Sequence, residues 1–218
     1  MTHLESELKS LKKDTTEMWE LVISQLEKAY HSLKTFDKDF SREVVANEKR
    51  VNSIELKIDR DCENIIALYS PVAIDLRFVL ATLKINNNLE RIGDIAESIA
   101  KYIITEKEPF DAELLKSTEF LEMYQGAHNI VRDVLLSFER EDTKLARSIF
   151  KKDEVLDDIN GAVNDNIAAF ISKYPTKTEQ ALNVHSIIRK LERVGDQSKN
   201  IAEEIIFYME AKVLKHRK

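Results

Sequence analysis

Pairs of oxygen-bearing side chains one helical turn apart recur along this chain. Glu90 and Asp94 form one pair, Glu192 and Asp196 a second, Asp153 and Asp157 a third. Glu48 stands four residues before Asn52, and Glu55 and Asp59 continue the same periodicity. Residues four apart are neighbours on a helix surface, so each pair sets two oxygen groups side by side. Oxygen donors alone suit hard or borderline cations such as Mg, Mn, Ca and oxygen-bound Fe. Acidic pairs of this kind also decorate ordinary solvated helix faces. Their context sets these apart.

Glu90 and Asp94 lie in residues 89–100, LERIGDIAESIA, and Glu192 and Asp196 lie in residues 191–202, LERVGDQSKNIA. The stretches are 102 residues apart and share seven of twelve positions. A period this long in a 218-residue chain indicates two fused copies of one unit. Gly93 and Gly195 sit between the carboxylates of each copy. Glycine inside a helix costs about 1 kcal/mol relative to Ala. Carboxylates one turn apart, with no base at the next turn, repel each other. Two local rules broken twice in the same way mark a site.

The elements that must position these groups are helices. Ile85, Leu89, Ile92, Ala96, Ile99 and Ile103 form one apolar stripe, matched by Ile187, Leu191, Val194, Ser198, Ile201 and Ile205. With that stripe on the core, Glu90, Asp94 and Glu97 point outward. The pattern predicts six helices, over residues 4–35, 41–69, 71–105, 112–138, 143–172 and 178–214. Ser41 is the expected cap of the second, and Pro71 and Pro175 mark breaks. Short connections make consecutive helices antiparallel neighbours. The expected fold is all-α: two tandem three-helix bundles, residues 1–106 and 107–218, related by an internal pseudo-twofold. Each bundle carries one acidic pair on its second helix and one on its third, and antiparallel packing brings the pairs together.

Composition agrees. Four Gly, three Pro, 33% charged and 43% hydrophobic residues describe a nearly all-helical chain with short loops. A net charge of −6 argues against a dedicated nucleic-acid binder. The single cysteine, Cys62, suits a reducing compartment and a packing role. Residues 1–14 lack the apolar core of a signal peptide, and no run approaches the ~18 apolar residues of a membrane span, so the expected location is cytoplasmic. Several other residues have plain structural readings. Arg91 and Arg193 are expected to be solvated or ion-paired, and Asp75 and Arg77 to orient the third helix. His185 and Trp19 are expected to pack, and Lys212, Lys215, Arg217 and Lys218 to complement a helix C-terminus.

At these residues the chain resembles the PhoU family of bacterial phosphate-uptake regulators. The two motif copies carry the resemblance, with Ser98-Ile99-Ala100, Asn200-Ile201-Ala202-Glu203 and Pro71-Val72-Ala73-Ile74-Asp75-Leu76-Arg77. The resemblance implies two three-helix domains. It also implies surface clusters of Fe or Zn, with Mn or Mg compatible, held by Glu/Asp-x-x-x-Asp motifs. Glu90, Asp94, Glu192, Asp196, Asp153 and Asp157 match that motif, and Glu48 matches it with Asn52 in its partner's place. The neutral Asn52 leaves the first half one charge short, so the second half is expected to bind metal more tightly. The implied function is that of a non-enzymatic adaptor between the ATPase of a phosphate ABC transporter and a sensor histidine kinase. It would work as a homodimer that meets the membrane only through partners. Two alternatives are a metal-carboxylate enzyme and a purely structural helical partner. The first needs Glu-x-x-His pairs in a bundle core, and no Glu-x-x-His occurs in this sequence.

Overall fold

The computed structural model describes residues 2–214. Seven α-helices follow one another: α1 (His3–Thr35), α2 (Lys38–Tyr69), α3 (Ala73–Thr105), α4 (Ala112–Ser117), α5 (Phe120–Arg140), α6 (Thr143–Lys173) and α7 (Thr178–Glu210). A 3-10 turn at Pro175–Lys177 leads into α7, and no strand occurs among the described residues.

The helix ends have local causes. Thr2 and Glu5 form a capping box, each side chain bonded to the other's backbone N–H, at 3.2 and 2.8 Å. Asp37, rather than the expected Ser41, caps α2 by accepting from the N–H of Asp39. Ser41 is buried, and its hydroxyl donates to Ser32 Oγ at 2.7 Å. Asp142 caps α6 through the N–H groups of Lys144 and Leu145.

The predicted fourth helix is broken. The N–H of Thr118 closes back on Leu114 O, that of Glu119 on Lys116 O, and Glu119 adopts φ 50° before α5 begins. The break lets both Leu114 and Phe120 reach the core.

Ion pairs fix the helix directions. Lys28 meets Glu43 at 2.7 Å and Asp14 meets Lys57 at 2.5 Å, so α1 and α2 run antiparallel. Lys84 meets Glu204 at 3.1 Å, and Asn200 Nδ2 donates to Asn88 at 3.4 Å, so α3 and α7 are antiparallel too. Continuing that register sets Gly93 level with Gly195. The helices lie in two layers. One is α2, α3, α7 and α6 side by side, and the other is α1 against α5.

The two repeats share one apolar core. All twelve stripe residues, six on α3 and six on α7, are fully buried. Buried hydrogen bonds also cross between repeats: Trp19 Nε1 donates to Val131 O at 3.2 Å, and Tyr124 OH donates to Leu26 O at 2.9 Å. Each spares the polar group of an aromatic side chain the penalty of burial without a partner.

Candidate functional site

Each repeat has a groove between its second and third helices, and a glycine at the base of each groove explains the duplicated motif. In the α2–α3 groove, a Cβ on Gly93 would meet Val51 Cγ1 at 3.2 Å and Glu48 Oε2 at 3.8 Å. In the α6–α7 groove, a Cβ on Gly195 would collide with Asp153 Oδ1 and lie 2.9 Å from Leu156 Cδ1. The missing side chain lets the second helix bring its own carboxylate over the third. Glu48 and Asp153 are therefore equivalent, and so are Val51 and Leu156.

Glu48 is 8% exposed, and neither carboxylate oxygen has a hydrogen-bond partner. Burial, then the charges of Asp94, Glu97 and Glu90, pushes its pKa up to about 7. Glu90 is raised by burial and by Asp94 and Glu55, and Glu55 by burial and by Asp59 and Asp94. Among the described residues, no ion pair reaches Glu48, Glu90 or Asp94, while Glu97 is held by Lys101 at 2.6 Å. Asn52 is exposed at the rim. Asn86 is buried below and donates to Glu55 O at 2.9 Å and Asp59 Oδ1 at 2.8 Å.

The α6–α7 groove has the same frame and a different occupant. Asp153 is 1% exposed. Lys199 Nζ bridges Asp153 Oδ2 and Asp196 Oδ1, the latter at 2.8 Å. The second oxygen of Asp153 has no partner. Burial and the charges of Asp196, Asp157 and Asp153 raise the pKa of Glu192, while Lys199 lowers it. Asp157 is exposed at the rim, like Asn52. Burial alone would lower the pKa of Lys199, but hydrogen bonds to Asp153 and Asp196 lift it above the ordinary lysine value.

The structure thus brings Glu48, Glu90 and Asp94 together in one groove and Asp153, Glu192 and Asp196 in the other, with Asn52 and Asp157 at the margins. Two expectations need correction. The acidic stripes are not wholly outward, because the second-helix members, Glu48 and Asp153, are buried. Nor is the second half the more negative. Lys199 sits inside it, 102 residues after Glu97, the equivalent position of the first repeat. The sequence held that signal at the ninth position of the two motif copies. The expected repulsion is relieved by a base three residues after Asp196, a spacing that a search only at i+4 misses.

The donor chemistry of the α2–α3 groove fits a hard cation. The buried, unpartnered carboxylate oxygens of Glu48 stand beside Glu90 and Asp94, and no ion pair reaches these three among the described residues. Among the described residues, no three His, Cys, Asp or Glu side chains are placed to hold a metal ion together, so the fit lies in charge and oxygen donors alone. His185 takes no part: its Nε2 lies 2.8 Å from Asn164 Oδ1, across the α6–α7 packing. Arg77 ties α3 to α7 by donating to Tyr208 O at 3.2 Å. Cys62 is fully buried, and burial pushes its thiol up to about 12, which makes it a packing residue. Lys212 pairs with Glu210 at 2.9 Å, and the other terminal bases lie outside the described residues.

Fold and grooves together define a duplicated all-α protein with one carboxylate-lined groove per repeat. The model of the PhoU domain matches residues 15–103 and again 120–205, and the chain belongs to the PhoU family. It is 34% identical to phosphate-specific transport system accessory protein PhoU homolog 1 of Thermotoga maritima, over 98% of this chain and 91% of that one. It is 31% identical to the Escherichia coli phosphate-specific transport system accessory protein PhoU, over 97% of this chain and 87% of that one. The crystal structure of PhoU from Pseudomonas aeruginosa superimposes with a TM-score of 0.88 at 27% identity, over 96% of this chain and 100% of that chain. The regulatory protein PhoU from Streptococcus pneumoniae gives 0.86 at 25% identity, over 97% and 99%.

Proposed function

We propose that this chain is a cytoplasmic, non-enzymatic regulator of phosphate uptake and phosphate-starvation signalling. In this reading it links the ATPase of a phosphate ABC transporter to a sensor histidine kinase and restrains both when phosphate is ample. The observation that carries the reading is the family match over both repeats, together with near full-length relatives named as accessory proteins of phosphate transport. No helix among the described residues is long and apolar enough to cross a membrane, so membrane contact would come through partners. Contact-driven regulation also needs apolar surface, and Leu68, Val72 and Ile74 are exposed around the α2–α3 corner.

The α2–α3 groove takes a divalent or trivalent cation in this reading, iron or zinc by the family resemblance. Glu48, Glu90 and Asp94 would hold it, and Glu97 and Asn52 would complete its surroundings. The ion supplies positive charge that relieves the repulsion between α2 and α3. Glu48 contributes most, because its two oxygens are buried without a donor.

Co-purification tests the partner reading. Tagged protein recovered from phosphate-replete cells should carry the transporter ATPase and the sensor kinase with it. Recovery of neither would contradict the adaptor role.

A further inference from the structure

We infer that Lys199 is a built-in ammonium occupying the cation position of the α6–α7 groove, so that the chain takes its metal ion at the α2–α3 groove alone. The inference rests on reading the α2–α3 groove as a cation site.

The geometry of the two grooves carries it. Lys199 Nζ joins Asp153 on α6 to Asp196 on α7. Among the described residues, no basic side chain joins their equivalents, Glu48 and Asp94, and Glu48 is more than nine-tenths buried with both oxygens unpartnered. The residue in the place of Lys199 is Glu97, a further carboxylate. The lysine side chain is itself three-quarters covered, and its ammonium is bonded to carboxylates of both helices. A metal ion approaching Asp153 and Asp196 would meet a like charge already bonded to both, and it would have to displace that ammonium.

The flanking residues point the same way. With Glu48 equivalent to Asp153 through the motif glycines, Glu55 and Asp59 correspond to Asn160 and Asn164. Two acids of the first repeat are amides in the second. The first groove therefore gathers Glu48, Glu55, Asp59, Glu90, Asp94 and Glu97. The second has Asp153, Asp157, Glu192 and Asp196 around a lysine. The carboxylates of one groove are neutralised by a lysine of the chain itself, and those of the other take their counter-charge from solution.

The test uses the full chain, stripped with chelator, and Mn(II) alone as the probe, with stoichiometry read by calorimetry and electron paramagnetic resonance. Wild-type protein should bind one Mn(II) per chain, and Glu48→Gln should bind none. Lys199→Gln and Lys199→Glu should each bind two; circular dichroism checks their folding, and the wild-type count stands even if a variant fails to fold. Two equivalents on wild-type protein, or a count left at one by Lys199→Gln in folded protein, overturns the inference. No binding by wild-type protein with one equivalent on Lys199→Gln upholds the role of Lys199 and overturns the reading of the α2–α3 groove. No binding by any of these proteins overturns both.

Discussion

Lys199 and Glu97 hold the same position in the two repeats and carry opposite charge. Lys199 bridges Asp153 and Asp196, whereas Glu97 adds its charge to those of Glu90 and Asp94 around the buried Glu48. This exchange, with Glu55 and Asp59 replaced by Asn160 and Asn164, turns one frame into a closed ion-pair network and an open acidic groove.

Removing that lysine should expose its structural worth. Asp153 is almost fully buried, and without Lys199 its charge has no counter-ion there. Breaking a buried pair on one side typically costs about 3–5 kcal/mol, and Lys199 is partly exposed, so Lys199→Gln should lose roughly 2–4 kcal/mol in chelator. Urea unfolding with and without chelator measures this, and Mn(II) should restore part of the loss by mass action. An unchanged midpoint in chelator would mean that Asp153 does not depend on its lysine.

The motif glycines should differ in tolerance. A Cβ at Gly195 collides with Asp153 Oδ1, whereas at Gly93 the nearest atom, Val51 Cγ1, is 3.2 Å away. Ala would otherwise gain about 1 kcal/mol of helix propensity. Gly195→Ala should destabilise by roughly 1–3 kcal/mol through overpacking, and Gly93→Ala should stay within about 1 kcal/mol of wild type. Equal effects in urea unfolding would contradict the two packing distances.

Glu48 sets a pH dependence. Its folded pKa of about 7 lies above the ordinary 4.5, so between these values the folded state holds a proton that the unfolded chain has released. Stability of chelated protein should fall as pH rises from about 4.5 to 7, by roughly 1–3 kcal/mol for this group, and then level off. Glu48→Gln should remove that share of the slope. The salt-bridged Asp111, whose pKa is lowered by Lys177, works in a lower window: its contribution is present above about 4 and is lost only as pH falls further. Thermal melts of wild type and variant across pH 4.5–8 compare the slopes, and identical slopes would contradict the burial of an ionisable Glu48.

The fold was legible where periodicity was long. The stripe from Ile85 to Ile103 and its copy from Ile187 to Ile205 named buried residues correctly, and Pro71 and Pro175 marked real breaks. The break at Thr118–Glu119 was not legible, because no Gly or Pro marks it and packing of Leu114 and Phe120 imposes it. Asp37 outranked Ser41 as a cap because Ser41 faces Ser32 inside the bundle. In the site, the spacing of carboxylates and glycines was visible in one dimension. That Glu48 and Asp153 are buried, and that Lys199 reaches across to α6, depends on how α2 and α6 lie over the glycines.

The shared core predicts one unfolding event. Trp19 is fully buried in the first repeat and bonds to Val131 in the second. Trp19→Ala should cost about 3–5 kcal/mol and lower a single transition seen alike by fluorescence of other probes and by circular dichroism. Two separated transitions, with only the first shifted, would contradict a common core.

The regulatory role is tested most directly by transcript levels of phosphate-starvation genes in cells grown with ample phosphate. A strain lacking this protein should express them constitutively, and returning the wild-type gene should restore repression. Starvation-gene transcripts and phosphate uptake that remain at wild-type levels in the deletion strain would contradict the account.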